Sequence, residues 1–155
     1  MSGVTTNGWP YVTPDDHPLE FPAHSQALAN KLEALGGWQA YTPTAAGATF
    51  SAVVARYARI GKTVHLAILA TVSSVTGNFS FSLPLPLNAT SSFAAGSAVF
   101  FGSNSYLGIA YFSGSLHVRG IGANGAQANI SATYPFTWAS GNVVSVMSTY
   151  ETTAA

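Results

Sequence analysis

The sequence predicts a mainly β protein: an antiparallel β-sandwich, jelly-roll-like domain over residues 38–150, preceded by an extended arm and one short α-helix. Three observations lead there. Beyond position 50, apolar runs alternate with polar residues, and Gly, Ser, Asn and Pro punctuate them at the roughly 8–12-residue spacing of sandwiches. No sustained helical stripe lies between those runs. At the start, Pro10, Pro14, Pro18 and Pro22 recur every four residues, which suits extended chain and not helix. With 48 % of residues hydrophobic, the β domain can build a core.

Residues 1–22 read as an extended attachment arm. Proline fixes φ and pushes its predecessor towards extended geometry. Trp9, Pro10, Tyr11, Pro14, Leu19 and Phe21 are the candidate docking residues, because a solvated arm rarely carries so many large apolar groups. Residues 23–37 read as a short oligomerisation helix (23–35) stopped by Gly36-Gly37. Pro22 suits its N-terminal boundary, and its Ala, Leu, Gln, Lys and Glu residues favour helix. Leu28, Leu32 and Leu35, at spacings of four and three, form one stripe that Ser25 and Phe21 extend backwards. Two placements satisfy that stripe: against the chain's own β domain, or in a bundle around a rotation axis. A helix this short needs one of them.

In the β domain, residues 56–60, the turn Gly61-Lys62 and residues 63–72 read as a hairpin, with Val64, Leu66, Ile68 and Val72 on one face. Residues 78–83 alternate strictly, and Pro84 and Pro86 end them. Later strands are expected at 98–101, 106–112, 116–120, 128–134 and 143–150, followed by a tail at 151–155.

Charge limits function. Only 6 % of residues are charged, against about 25 % in an average soluble domain. A lone surface so uncharged is poorly protected against association, so the expectation is a surface shared with copies or partners. Zero net charge removes a global attraction to nucleic acid or anionic membrane. No apolar run reaches membrane-span length, and there is no cysteine for disulfide or thiolate chemistry. The start shows no basic region followed by an apolar one, as a secretion signal would have.

The acids are Asp15, Asp16, Glu20, Glu33 and Glu151, so 38–150 holds none. Paired-carboxylate hydrolysis and hard-metal binding need several carboxylates. The sequence therefore predicts no enzyme, no cofactor and no metal. His17, His24, His65 and His117 fit no metal-ligand spacing. Gly61-Lys62-Thr63 resembles the end of a phosphate loop, but Arg56 stands where its first glycine belongs, so it reads as a turn. Arg56, Arg59 and Lys62 crowd one hairpin, which suits an acidic partner surface, a neighbour's acids or plain solvation. Aromatic residues Trp38, Tyr41, Tyr106, Tyr111, Tyr134, Trp138 and Tyr150 suit either a core or a sugar-stacking surface.

The arm Asn7-Gly8-Trp9-Pro10-Tyr11-Val12, with Pro14, Asp16 and Pro18, then Gln26-Ala27-Leu28-Ala29 and Lys31-Leu32, resembles the start of small structural proteins of actinobacterial tailed phages. Trp38-Gln39-Ala40-Tyr41-Thr42-Pro43-Thr44 and Ala55-Arg56-Tyr57-Ala58-Arg59-Ile60-Gly61-Lys62-Thr63-Val64 resemble the β domains of phage minor tail, fibre and head-decoration proteins. The resemblance covers about the first 85 residues. It implies a homotrimer at the virion surface, attached by its N-terminal part to a major capsid protein or another virion protein. A capsid decoration or head-fibre protein is the reading favoured by the chain's shortness and lack of a stalk. A tail-fibre tip binding a host-surface glycan or receptor is the alternative.

Overall fold

A computed structural model describes residues 3–4, 10–11, 21–34, 37–88 and 94–154. The chain divides into two compact units, residues 1–37 and residues 38–154.

In the first unit, β1 (Gly3–Val4) pairs antiparallel with β2 (Pro10–Tyr11), Val4 opposite Pro10. Helix α1 (Phe21–Ala34) starts two residues before the expected position 23. Pro22 thus falls inside the first turn, where its missing N–H is no loss because that N–H has no intrahelical partner. One turn is supported by Gln26 Nε2 donating to Asn30 Oδ1 at 2.8 Å, the i,i+4 spacing that faces two side chains together.

The second unit is antiparallel β throughout. Its strands are β3 (Gln39–Tyr41), β4 (Ala45–Ile60), β5 (Thr63–Phe81), β6 (Ala94–Phe101), β7 (Ser105–Phe112), β8 (Leu116–Ile121), β9 (Gln127–Asn129) and β10 (Val143–Glu151). They run in the order β3-β4-β5-β10-β6-β7-β8-β9, and β8 also pairs with β5. Strands β5, β10, β6, β7 and β8 therefore close into a five-stranded barrel, with β4, β3 and β9 as extra strands. This corrects the expected sandwich. The physical cause is the length of β5. On its edge away from β4 it pairs with β10 along Thr63 to Thr71 and with β8 at Ser80 and Phe81. A strand long enough to serve two partners closes the sheet on itself, and closure removes edges.

The expected strands 63–72 and 78–83 are thus one strand. Inward residues run Val64, Leu66, Ile68, Ala70 and Val72, then resume at Val75, Phe79 and Phe81. Two consecutive exposed residues, Ser73 and Ser74, shift the alternation by one. Register shifts in β4 at Thr49/Phe50 and Phe50/Ala52 answer it, as bulges bend a barrel strand. The tight turn at Gly61-Lys62 stands as expected, Ile60 facing Thr63, and Gly61 takes the left-handed φ of +60° that glycine adopts without strain.

The core is apolar and fills the barrel: Phe79, Phe81, Phe100 and Phe112 are fully buried with Leu66, Ile68, Leu116 and Val118. At the Val143 end of β10, Trp138 closes the barrel. Its ring meets Phe79 and Phe100 edge-on, at 5.9 and 5.7 Å between centroids, and its Nε1–H donates to the Tyr134 carbonyl at 3.1 Å. At the Glu151 end, Leu83, Leu85 and Leu87 pack on the core, and Leu87 bridges Thr152. Residues 151–154 are accordingly part of the barrel and not the expected tail: Thr152 is fully buried, and its Oγ1–H donates to the Pro86 carbonyl at 2.7 Å. The strand expected at 128–134 is limited to β9, ending at Asn129, because Ile130 turns into the core.

Tyr150 ties the leucine segment to β10. Its hydroxyl donates to the Leu85 carbonyl at 3.0 Å and accepts from the Leu85 N–H at 3.2 Å. Tyr150→Phe strips both Leu85 groups of this partner and is expected to cost about 1–3 kcal/mol in a denaturant titration. Burial pushes the Tyr150 phenol from 10.0 up to about 12, the Leu85 hydrogen bond opposing and Tyr57 reinforcing the shift. Burial also pushes Tyr41 upwards. A folded-state pKa above the unfolded one means the native state holds the neutral phenol. Stability from this group is complete below pH 10 and falls as pH rises from 10 towards 12. Alkaline melts of the wild type should show that fall, and Tyr150→Phe should flatten it.

Candidate interaction surface

In a closed barrel the outward positions of each strand face away from the core, so their chemistry decides what the unit can touch. Register places these positions in rows. Val54 lies opposite Leu69, which lies opposite Ser145, Val99 and then Leu107. The next row is Arg56, Ala67, Met147, Ser97 and Ile109. Leu107 is 67 %, Val54 65 %, Met147 61 % and Leu69 49 % exposed. Around these large groups the outward positions are mostly Ala, Ser and Thr. Across both rows, from β4 as far as β7, the one charged residue is Arg56.

The expected basic hairpin does not converge. Arg56 points outward and its guanidinium lies 4.8 Å from the Trp38 ring centroid, within cation–π range. Arg59 belongs to the opposite face of β4. It donates from Nε to the Gly61 carbonyl at 2.7 Å and from Nη2 to the Ala154 carbonyl at 2.9 Å, so it fastens the chain's end to the turn. Lys62 occupies the turn and is exposed. No shared cationic site results.

The aromatic residues separate in the same way. Tyr41, Tyr106, Trp138 and Tyr150 join the core. Trp38 and Tyr111 remain outside, each beneath an arginine of the same chain, Arg119 standing 4.5 Å over Tyr111. His117 stacks on Tyr111 at 5.2 Å, and its Nε2 shares a 3.1 Å hydrogen bond with Ser115 Oγ. A shallow groove of about 320 Å³ beside Trp38 is lined by His65, Ser97, Met147 and Thr149. In it, His65 Nδ1 and Thr149 Oγ1 share a hydrogen bond of 3.2 Å.

Glu151, exposed on β10, is the acid of this unit. Among the described residues no three His, Asp or Glu side chains come together as a metal-holding group, and no helix is long and apolar enough to cross a membrane. Comparison with protein-family models, curated proteins and solved structures gives no match.

In the first unit, Pro10 and Tyr11 form β2, Phe21 opens α1 and Leu32 lies within it. Leu28 is 39 % exposed. Trp9, Pro14, Leu19 and Leu35 lie outside the described residues. Sequence reading missed the outward Val54–Leu69–Met147 group, because Leu69 and Val54 sit in runs so apolar that inward and outward positions look alike.

Proposed function

We propose that this chain is a non-enzymatic structural protein of a virion surface, a homotrimeric capsid decoration or head-fibre protein attached through its N-terminal arm. The observation that supports it is the outer face of the barrel. Large apolar groups stand exposed there among small residues, with one charge across two rows. Exposed apolar patches of this kind mark association sites. The lone acid of the unit offers no second carboxylate for acid–base work. Phage origin and trimer number rest on the arm and hairpin motifs. The groove beside Trp38 favours a second reading, a tail or fibre tip that binds a host-surface glycan.

Two measurements test this. Light scattering at micromolar concentration should give three times the 16.0 kDa of one chain. Purified protein should co-sediment with actinobacteriophage capsids stripped of their decoration. Binding to host cells but not to capsids overturns the decoration reading in favour of the second. A monomer that binds neither overturns both.

A further inference from the structure

We propose that Asn124, at the tip of the β8–β9 hairpin, is a site of self-modification: its side-chain amide cyclises onto the backbone nitrogen of Gly125, ammonia leaves, and an aspartyl or isoaspartyl residue remains. The loop holds the reacting atoms together. Gly122 N–H donates to the Ala126 carbonyl at 2.8 Å, and Gly125 N–H to the Gly122 carbonyl at 2.9 Å. Asn124 Oδ1 accepts from the Ala126 N–H at 3.1 Å. An Asn side chain bonded to the N–H two residues on wraps around the nitrogen between them, here that of Gly125. The Gly125–Gly122 bond lies in the peptide plane. The nitrogen attacks through electron density normal to that plane, so the attacking face stays open. Gly125 has no side chain to cover it, and a Cβ there would meet nothing within 4 Å. Asn124 and Gly125 are both exposed, so hydroxide and water reach them.

In the first step the Gly125 nitrogen bonds to Asn124 Cγ. Its proton leaves with the side-chain nitrogen as ammonia, and a succinimide ring closes. Attack places negative charge on Oδ1, and the Ala126 N–H is already aimed at that atom, as a donor that stabilises an oxyanion must be. Water then opens the ring. Addition at Cγ leaves an aspartyl residue, whose carboxylate keeps the Ala126 bond. Addition at the backbone carbonyl leaves an isoaspartyl residue and one more methylene in the main chain. Other asparagines of this unit are held differently. Asn78 Oδ1 is buried, Asn129 Oδ1 accepts from Arg119 Nε at 3.0 Å, and Asn142 Oδ1 is turned back to the Ala139 N–H at 2.6 Å. Phe79, Ile130 and Val143 follow these three, and their side chains crowd the nitrogen that would attack. The conversion matters because charge is scarce. Five acids against five Lys and Arg become six against five, so a net charge of zero becomes −1. Glu151 is then no longer the one acid of the barrel unit.

The test holds the purified full chain in mildly alkaline buffer for weeks, folded and, in parallel, unfolded in urea. Isoelectric focusing should show the folded protein passing from a band near 6.9 to one a single charge more acidic. Tryptic mapping should place the mass gain of amide-to-acid exchange at Asn124, in the peptide that runs from Gly120 to the end of the chain. The other Asn-Gly pair, Asn7-Gly8, lies in a different peptide. Gly125→Ala should slow the conversion by about tenfold or more, since small displacements of reacting atoms lower rates steeply. Asn124→Asp should focus at the acidic position from the outset and gain no mass in this peptide. No conversion at Asn124 in the folded protein, whatever Asn7 or the unfolded chain does, overturns the proposal. So does Gly125→Ala converting as fast as the wild type.

Discussion

Phe79→Ala should lower the unfolding free energy by about 3–5 kcal/mol, the range for deleting a buried aromatic side chain. Phe79 is fully buried on the part of β5 between its pairings with β10 and β8. On the edge away from β4 no ladder crosses there, so closure of the barrel at this point depends on side-chain packing. The ring meets Phe50, Trp138 and Phe81 edge-on at 5.8, 5.9 and 6.0 Å, and such pairs are worth about 0.5–1.5 kcal/mol each beyond area burial. Three of its neighbours are themselves rigid rings, so the cavity left by alanine cannot collapse easily. Urea titration is the measurement. Phe101→Ala, at a position 43 % exposed, should change stability by less than about 1 kcal/mol. Equal losses at the two positions would show that the aromatic closure of the barrel contributes nothing special.

Gly47→Ala should cost about 2–5 kcal/mol, from two separable causes. Gly47 has φ of +78°, where a Cβ costs about 1–2 kcal/mol. It also sits in the bulge between Ala46 and Ala48, packed against the paired strand. An added Cβ would run into the Asn78 carbonyl oxygen and lie 2.8 Å from its carbon and 3.1 Å from Phe79 Cα. These are backbone atoms and cannot rotate away, so a crowding cost of about 1–3 kcal/mol is added. Gly61→Ala separates the two. Gly61 has φ of +60° with open space around its missing side chain, so it should show the conformational cost alone. A Gly47→Ala loss no larger than that of Gly61→Ala would mean the bulge yields, and that the close approach to Asn78 does not constrain the strand.

Much of the second unit was legible from residues with local meaning. Gly61-Lys62 between the strand-like runs 56–60 and 63–72 marks a hairpin because the turn needs a left-handed residue at that place. Alternation in Asn78-Phe79-Ser80-Phe81 sorts inward from outward correctly, since strand period is a local property. Closure was not legible. It depends on Ser80 and Phe81 meeting His117 and Leu116, a pairing of residues far apart that no local pattern encodes. The phase shift at Ser73-Ser74 also hid the unity of β5, because one extra residue reads as the end of a strand. The outer face was half legible. Low charge pointed to an outer face poor in charged residues, but which apolar residues face outward follows only from register. The basic hairpin misled for a related reason: Arg56 and Arg59 are three apart, an odd spacing that sends them to opposite faces of a strand.

The place of β10 between β5 and β6 has a consequence for biogenesis. It is the last stave of the barrel in chain order, yet it sits in the middle of the wall. While the ribosome is still adding residues before Val143, β5 and β6 each present a bare ladder of amides and carbonyls, with almost no charge nearby to repel another nascent chain. Closure of the barrel therefore waits on β10, and until it pairs, the facing edges of β5 and β6 are open to other strands.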